Sequence, residues 1–324
     1  MSLNRLAITE RRLLIRLPLF VLMLISAVAV VALLFVFAPS AAADDWIHAA
    51  RKSLNPLLPL QPGSVQHRRL GSDHAVEYFM FVPRRLAPHA PVFVTVHGIS
   101  RDVREHARMF APFADTRGVL LLAPYFPESR FPDYQRLGRA GRGARADMML
   151  GRVLKEVADL TGANTSKLYM FGYSGGAQFV HRFAMAHPER VVRMVLGAPG
   201  WYSFPDAKVR FPVGIRPTPE LADIRFEPSR FLRVPARVLV GEQDVRQNSA
   251  LRANAQLNAM QGDTRLKRGS NWISAMRRAA RASGYATPYE FAVMPRCGHW
   301  FRECMRRGNM GQLTFDFLFR ETLI

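Results

Sequence analysis

Apolar and polar positions follow two rhythms along this chain. Short apolar runs of strand length fall at residues 75–82, 91–96, 119–123, 167–171, 193–196, 236–240 and 289–294, and the run at 91–96 is rich in β-branched side chains. Between them, apolar residues recur every three or four positions, the mark of a helix with one buried face. Met109, Phe110 and Phe113 set that rhythm within 105–116, and Met149, Val153, Leu154 and Val157 set it within 145–160. Residues 175–187 read as a helix stopped by Pro188, which lacks the amide hydrogen needed to continue one. Two further helices are predicted around 272–282 and 310–319. Buried strands alternating with helices predict an α/β fold, with a mostly parallel central sheet and helices on both faces.

Two stretches break the alternation. Residues 125–144 are rich in Pro, Arg and Gly, and residues 199–235 contain seven prolines, which leaves no room for a long helix. Both follow the C-terminal ends of predicted strands, the edge at which open α/β sheets bind ligands. They read as lid or pocket-wall insertions, with a plain surface loop the alternative for the first.

The N-terminus has its own pattern. Arg5, Arg11, Arg12 and Arg16 precede a run from residue 17 to 38 that contains no charge. As a helix that run would span about 33 Å, enough to cross a bilayer core. Basic residues ahead of it predict a cytoplasmic N-terminus with the remainder exported. Residues 1–43 therefore read as a signal anchor or, given Ala41, Ala42 and Ala43, as a cleaved signal peptide. Residues 44–63, with Pro56, Pro59 and Pro62, form a linker, and 64–324 form the folded α/β domain. That domain is expected outside the cytoplasm, membrane-anchored or secreted, and periplasmic in a bacterium.

Composition narrows the partners. The chain carries 45 basic and 25 acidic residues, for a formal charge of +20, and forty of the basic ones are arginine. Such a surface favours anionic partners. The arginines are scattered, however, and there is no zinc-finger spacing or RNA-binding signature, so no nucleic-acid partner is expected. There is no phosphate-binding glycine loop or dinucleotide fingerprint, so no cofactor is expected. Cys297, His299 and Cys304 are too thin a set to argue for a metal, and none is expected.

The chemistry concentrates at Gly172-Tyr173-Ser174-Gly175-Gly176. This G-x-S-x-G motif joins a predicted strand to a predicted helix, the frame that lifts a nucleophilic serine above a sheet. Ser174 then needs a histidine base and an acid, in the order Ser, Asp or Glu, His. Only His181, His187 and His299 follow the serine, and the first two lie on the helix that leaves it. His299, in a loop after the strand at 289–294, is the base in position. Asp244 and Glu242 both follow the strand at 236–240; Asp244 is the better placed of the two. Gly175 is expected to donate one oxyanion-hole N–H, and the loop His97-Gly98-Ile99-Ser100 the other, from Ile99 or, second, Ser100. His97 reads as a structural residue of that loop. Tyr173, Trp201, Tyr202 and Trp300 are candidates for a substrate pocket, with burial as core the alternative. Cys297 and Cys304 flank His299 and would pair in an oxidising compartment or remain free thiols.

Taken together, the strand followed by His97-Gly98, the GYSGG turn, the GEQD segment at 241–244 and the Gly298-His299 loop resemble the α/β-hydrolase superfamily over about residues 75–322. VHGISRD at 96–102, FGYSGGAQFVHRFA at 171–184 and APGWY at 198–202 resemble its polyhydroxybutyrate-depolymerase-like and feruloyl-esterase-like branch. The resemblance implies a serine hydrolase acting on a small-molecule or polymeric carboxylic ester. A peptidase, an acyltransferase or a non-catalytic binding protein on the same fold are the other readings.

An uncleaved anchor makes a direct prediction. The full-length chain should sediment with membranes and resist extraction by high salt. Soluble protein beginning at Asp44 would identify the segment as a cleaved signal instead.

Overall fold

The structure is a computed structural model that describes residues 59–221, 223–245, 251 and 255–320. The 17–38 segment, the remainder of residues 1–43 and most of the linker lie outside the described residues. Among the described residues no helix is long and apolar enough to cross a membrane.

Among the described residues, eight strands form one sheet. They are β1 (Val65–Leu70), β2 (Asp73–Phe81), β3 (Pro91–Val96), β4 (Leu120–Pro124), β5 (Asn164–Tyr173), β6 (Val191–Gly197), β7 (Ala236–Gly241) and β8 (Tyr289–Met294). Their spatial order is β1-β2-β4-β3-β5-β6-β7-β8. The β1–β2 and β2–β4 pairs are antiparallel, and every pair from β4 to β8 is parallel. The seven apolar runs thus all became strands. β1 had no such signal. It is an edge strand whose middle reads Gln-His-Arg-Arg, and most of it is only half-buried or exposed.

Among the described residues, the helices longer than one turn are α1 (Val103–Arg117), α2 (Ala146–Thr161), α3 (Gly175–Ala186), α4 (Ala255–Gln261), α5 (Arg265–Ala282), α6 (Phe301–Arg307) and α7 (Met310–Leu318). The period-two geometry of the strands divides their side chains between two cores. Val92, Val94, Leu168 and Met170 meet α2, α3 and α5 through residues such as Val153, Phe183 and Trp272. Phe93, Phe171 and Val195 face the other way, toward α1 and α7. There the Phe93 ring lies 5.1 Å from Phe110 and 4.9 Å from Phe315, both at edge-to-face angles.

α5 begins seven residues before the periodicity indicated. Thr264 caps it, its hydroxyl accepting from the Lys267 amide at 3.2 Å. The first two turns read Arg-Leu-Lys-Arg-Gly-Ser-Asn, too polar to register as an amphipathic face. α4 and α6 were missed because seven residues is too short for the rhythm to repeat.

The two insertions differ from plain loops. In 125–144, Phe126, Phe131, Tyr134 and Leu137 are buried in the core. The Phe126 and Tyr134 rings stack at 5.3 Å. In 199–235 the described helical pieces are single turns, at Pro219–Leu221 and Pro228–Phe231. That matches the limit the prolines impose.

Candidate active site

β5 runs up to Tyr173, and α3 departs at Gly175. Ser174 occupies the turn between them with φ 52° and ψ −111°, a left-handed backbone that a side chain adopts only under constraint. Its amide donates to the Gly197 carbonyl at 2.7 Å, tying the turn to β6. The motif glycines explain themselves by clearance. A Cβ on Gly172 would overlap the Gly176 carbonyl, and one on Gly176 would overlap the Val96 carbonyl. Strand and helix cross too closely there for any side chain.

Ser174 Oγ lies 3.1 Å from His299 Nε2, and His299 Nδ1 lies 2.7 Å from Asp244 Oδ2. A carboxylate only accepts, so Nδ1 carries the proton and Nε2 is left to accept from the serine hydroxyl. Asp244 sits in a tight turn after β7, where its amide donates to the Gly241 carbonyl at 3.0 Å. Glu242, the other acid considered, turns aside, and its Oε1 accepts from the Arg296 amide at 2.6 Å.

One member of this assembly was not legible in the sequence. Arg265, at the start of α5, donates from Nη1 to Asp244 Oδ1 at 2.9 Å. The side chains of the pair are 0% and 2% exposed. Asp244 therefore holds His299 with one oxygen and is itself held through the other. No motif marks Arg265, one of forty arginines in the chain.

The loop bearing His299 is braced from three sides. Cys297 and Cys304 form a disulfide across it, with Cα atoms 5.2 Å apart. Glu303 Oε2 accepts from the Gly298 amide at 3.0 Å. The Tyr173 ring lies beneath, its centroid 5.6 Å from that of His299. Burial raises the Tyr173 phenol far above its ordinary pKa, so this ring stays neutral.

Beside Ser174 opens a cavity of about 870 Å³, lined in part by Ile99, Tyr173, His299 and Trp300. Trp300 is 77% exposed and Ile99 50%, which gives the mouth an apolar rim. Trp201 and Tyr202 do not line this cavity, a correction to the pocket proposed from sequence. Tyr202 is fully buried and stacks on Trp272 at 5.1 Å. Trp201 lies against Arg182, whose guanidinium sits 4.2 Å from the indole centroid. Both rings are consumed in packing the 199–235 segment onto the core.

Gly175 is the first residue of α3, where amides have no carbonyl partner one turn back. Ile99 faces it: a Cβ on Gly175 would come within 2.9 Å of Ile99 Cγ2 and 2.7 Å of Tyr134 Oη. His97 fixes this loop. The Phe126 amide donates to its Nε2 at 3.1 Å, and its Nδ1 donates to the Gly98 carbonyl at 2.8 Å. Tyr134 Oη donates to the His97 carbonyl at 3.0 Å. With both ring nitrogens so engaged, His97 serves the loop's structure and is held neutral; burial lowers its pKa to about 4.

The fold matches structures already solved. Poly(aspartic acid) hydrolase-1 from Sphingomonas sp. KT-1 superimposes with a TM-score of 0.66 at 20% identity, over 81% of this chain and 100% of that one. This chain has the α/β-hydrolase fold. LpqC, a poly(3-hydroxybutyrate) depolymerase from Bordetella parapertussis, superimposes with a TM-score of 0.63 at 26% identity, covering 77% of this chain and 85% of that one. Feruloyl esterase B of Talaromyces funiculosus is 27% identical over 120 residues, 36% of this chain and 34% of that protein. The chain thus aligns with about a third of the length of that curated relative. No family model matches. The likeness to the depolymerase-like and feruloyl-esterase-like branch of the α/β-hydrolases agrees with the sequence motifs.

The buried His97 predicts how stability responds to acid. Its folded pKa lies below the ordinary histidine value, so the unfolded chain takes up a proton first as pH falls. The stabilisation is complete above about pH 6.5 and is lost between there and about pH 4. His106 and His181, lowered likewise by burial, add in the same direction. Urea midpoints should therefore fall between about pH 7 and pH 4.5, and His97→Asn should flatten the fall, by up to about 3 kcal/mol. An unchanged pH slope in the variant would contradict a neutral buried His97.

Proposed function

We propose that this chain is a serine hydrolase that cleaves carboxylic esters through an acyl-enzyme intermediate. The reading rests on one observation, the hydrogen-bonded line from Ser174 through His299 to Asp244. Ser174 Oγ attacks the ester carbonyl carbon while its proton passes to His299 Nε2. Asp244 keeps the imidazole in the tautomer that can accept this proton and stabilises the imidazolium that forms. The amides of Gly175 and Ile99 receive the negative charge on the carbonyl oxygen. As the tetrahedral adduct collapses, the proton on Nε2 goes to the leaving alcohol. Water then attacks the acylated serine, giving its proton to His299, and the free acid departs as Ser174 recovers its hydrogen.

The relatives lend support of a coarser kind, since their names are those of an esterase and a depolymerase. Export is a further part of the proposal. It rests on the uncharged 17–38 run and is supported by the Cys297–Cys304 bridge, a linkage that persists in oxidising compartments.

A series of 4-nitrophenyl esters of increasing acyl length tests the activity. Ser174→Ala and His299→Ala should each lower kcat by roughly three to six powers of ten, because such groups act as a unit. Asp244→Asn should cost about four powers of ten while leaving KM nearly unchanged. Turnover that survives His299→Ala would exclude this mechanism.

A further inference from the structure

The cavity beside Ser174 does not end at the serine. A second groove of about 630 Å³ adjoins it, and the two share Asp102, Glu105, Arg302 and Arg306 as lining. Five of the thirteen residues lining this second groove are arginine, against forty in 324 for the whole chain. The groove is thus about three times richer in arginine than this arginine-rich protein.

The arrangement follows from two helices. Arg104 and Arg108 stand four residues apart on α1, and Arg302 and Arg306 four apart on α6, so each pair shares a helix face. Arg302 is committed to an ion pair with Glu105. Arg101 is mostly buried, with Nη1 donating to the Phe126 carbonyl. Arg104, Arg108 and Arg306 are exposed, and no carboxylate of the described residues lies within ion-pair distance of them.

The acids nearby do not cancel this charge. Glu77 lies 2.8 Å from His67 and 3.6 Å from Arg69. Glu303 serves the Gly298 amide and lies 3.5 Å from Arg307. Asp102, at the start of α1, is the one lining acid without such a partner among the described residues. Three uncommitted guanidinium groups face one uncommitted carboxylate, in a concave surface beside the nucleophile. Guanidinium forks suit carboxylates, which they grip with two parallel hydrogen bonds.

Building on the hydrolase reading of Ser174, we propose that this groove is the subsite for the non-reacting part of the substrate, and that the substrate is an ester bearing carboxylates along the chain beyond the scissile bond. The apolar rim of Ile99 and Trp300 would then hold the segment at the serine, and Arg306, Arg104 and Arg108 the acidic extension.

Binding and turnover test this separately. Fluorescein-labelled poly(glutamate) is titrated into the full-length Ser174→Ala chain in a non-ionic detergent and followed by anisotropy. The triple variant Arg104→Glu, Arg108→Glu, Arg306→Glu is compared with a control of equal charge change, Arg225→Glu, Arg278→Glu, Arg281→Glu, whose exposed arginines lie outside both cavities. Melting midpoints check that both fold. The groove variant should bind at least tenfold more weakly than the control variant. On the active chain, unlabelled poly(glutamate) should raise KM for 4-nitrophenyl butyrate without lowering kcat. Equal loss of binding in the two triples would overturn the proposal, since it would reduce the effect to net charge. Groove-dependent binding without competition would also overturn it, because the acidic chain would not reach the serine. Absence of butyrate hydrolysis with groove-dependent binding intact would strike the hydrolase reading and leave the anionic site standing.

Discussion

Asp244 is the residue on which the geometry of the site depends. One of its oxygens accepts from His299 at 2.7 Å and the other from Arg265 at 2.9 Å. Burying a carboxylate without a partner is costly, and the neutral acid would hold a histidine poorly. Arg265 removes that cost by supplying a buried opposite charge, and it sets the angle of the carboxylate. His299 is therefore positioned in part from α5, an element that carries none of Ser174, Asp244 and His299. A buried ion pair of this kind adds little net stability. In the mechanism proposed here its value is orientation, since small misplacements of a base are expensive in catalysis.

The same economy governs the serine. Its left-handed backbone is held by the amide bond to Gly197, by the close crossing of β5 and α3 that only glycine permits, and by the neighbouring loop fixed through His97. Each of these constraints comes from a different strand of the parallel sheet: β6, β5 and β3. The sheet brings their C-terminal ends together, and the site stands where they meet. The 125–144 insertion belongs to this support, because Tyr134 and Phe126 both bond to His97.

Much of this was legible in the chain. Parallel strands buried on both faces announce themselves as unbroken apolar runs, and the order Ser, acid, His follows from the fold. Asp244, His299 and Ser174 form one hydrogen-bonded line, and Ile99 shares the cavity beside them. What escaped did so for physical reasons. β1 is half-exposed and polar, and α4 and α6 are too short to show a period. Arg265 acts through a contact spanning 21 residues, which no local pattern records. For Trp201 and Tyr202 the burial alternative holds: large rings are absorbed by whatever core lies nearest, and theirs lies beneath the 199–235 segment.

The central claim is that Ser174 becomes covalently modified during the reaction and that His299 makes it reactive. The most direct measurement is the intact mass of the full-length chain after exposure to a fluorophosphonate, followed by mapping of the modified peptide. The account predicts a single adduct on Ser174, absent from Ser174→Ala and slowed by orders of magnitude in His299→Ala. An adduct on another residue, or labelling of Ser174 at an undiminished rate without His299, would contradict it.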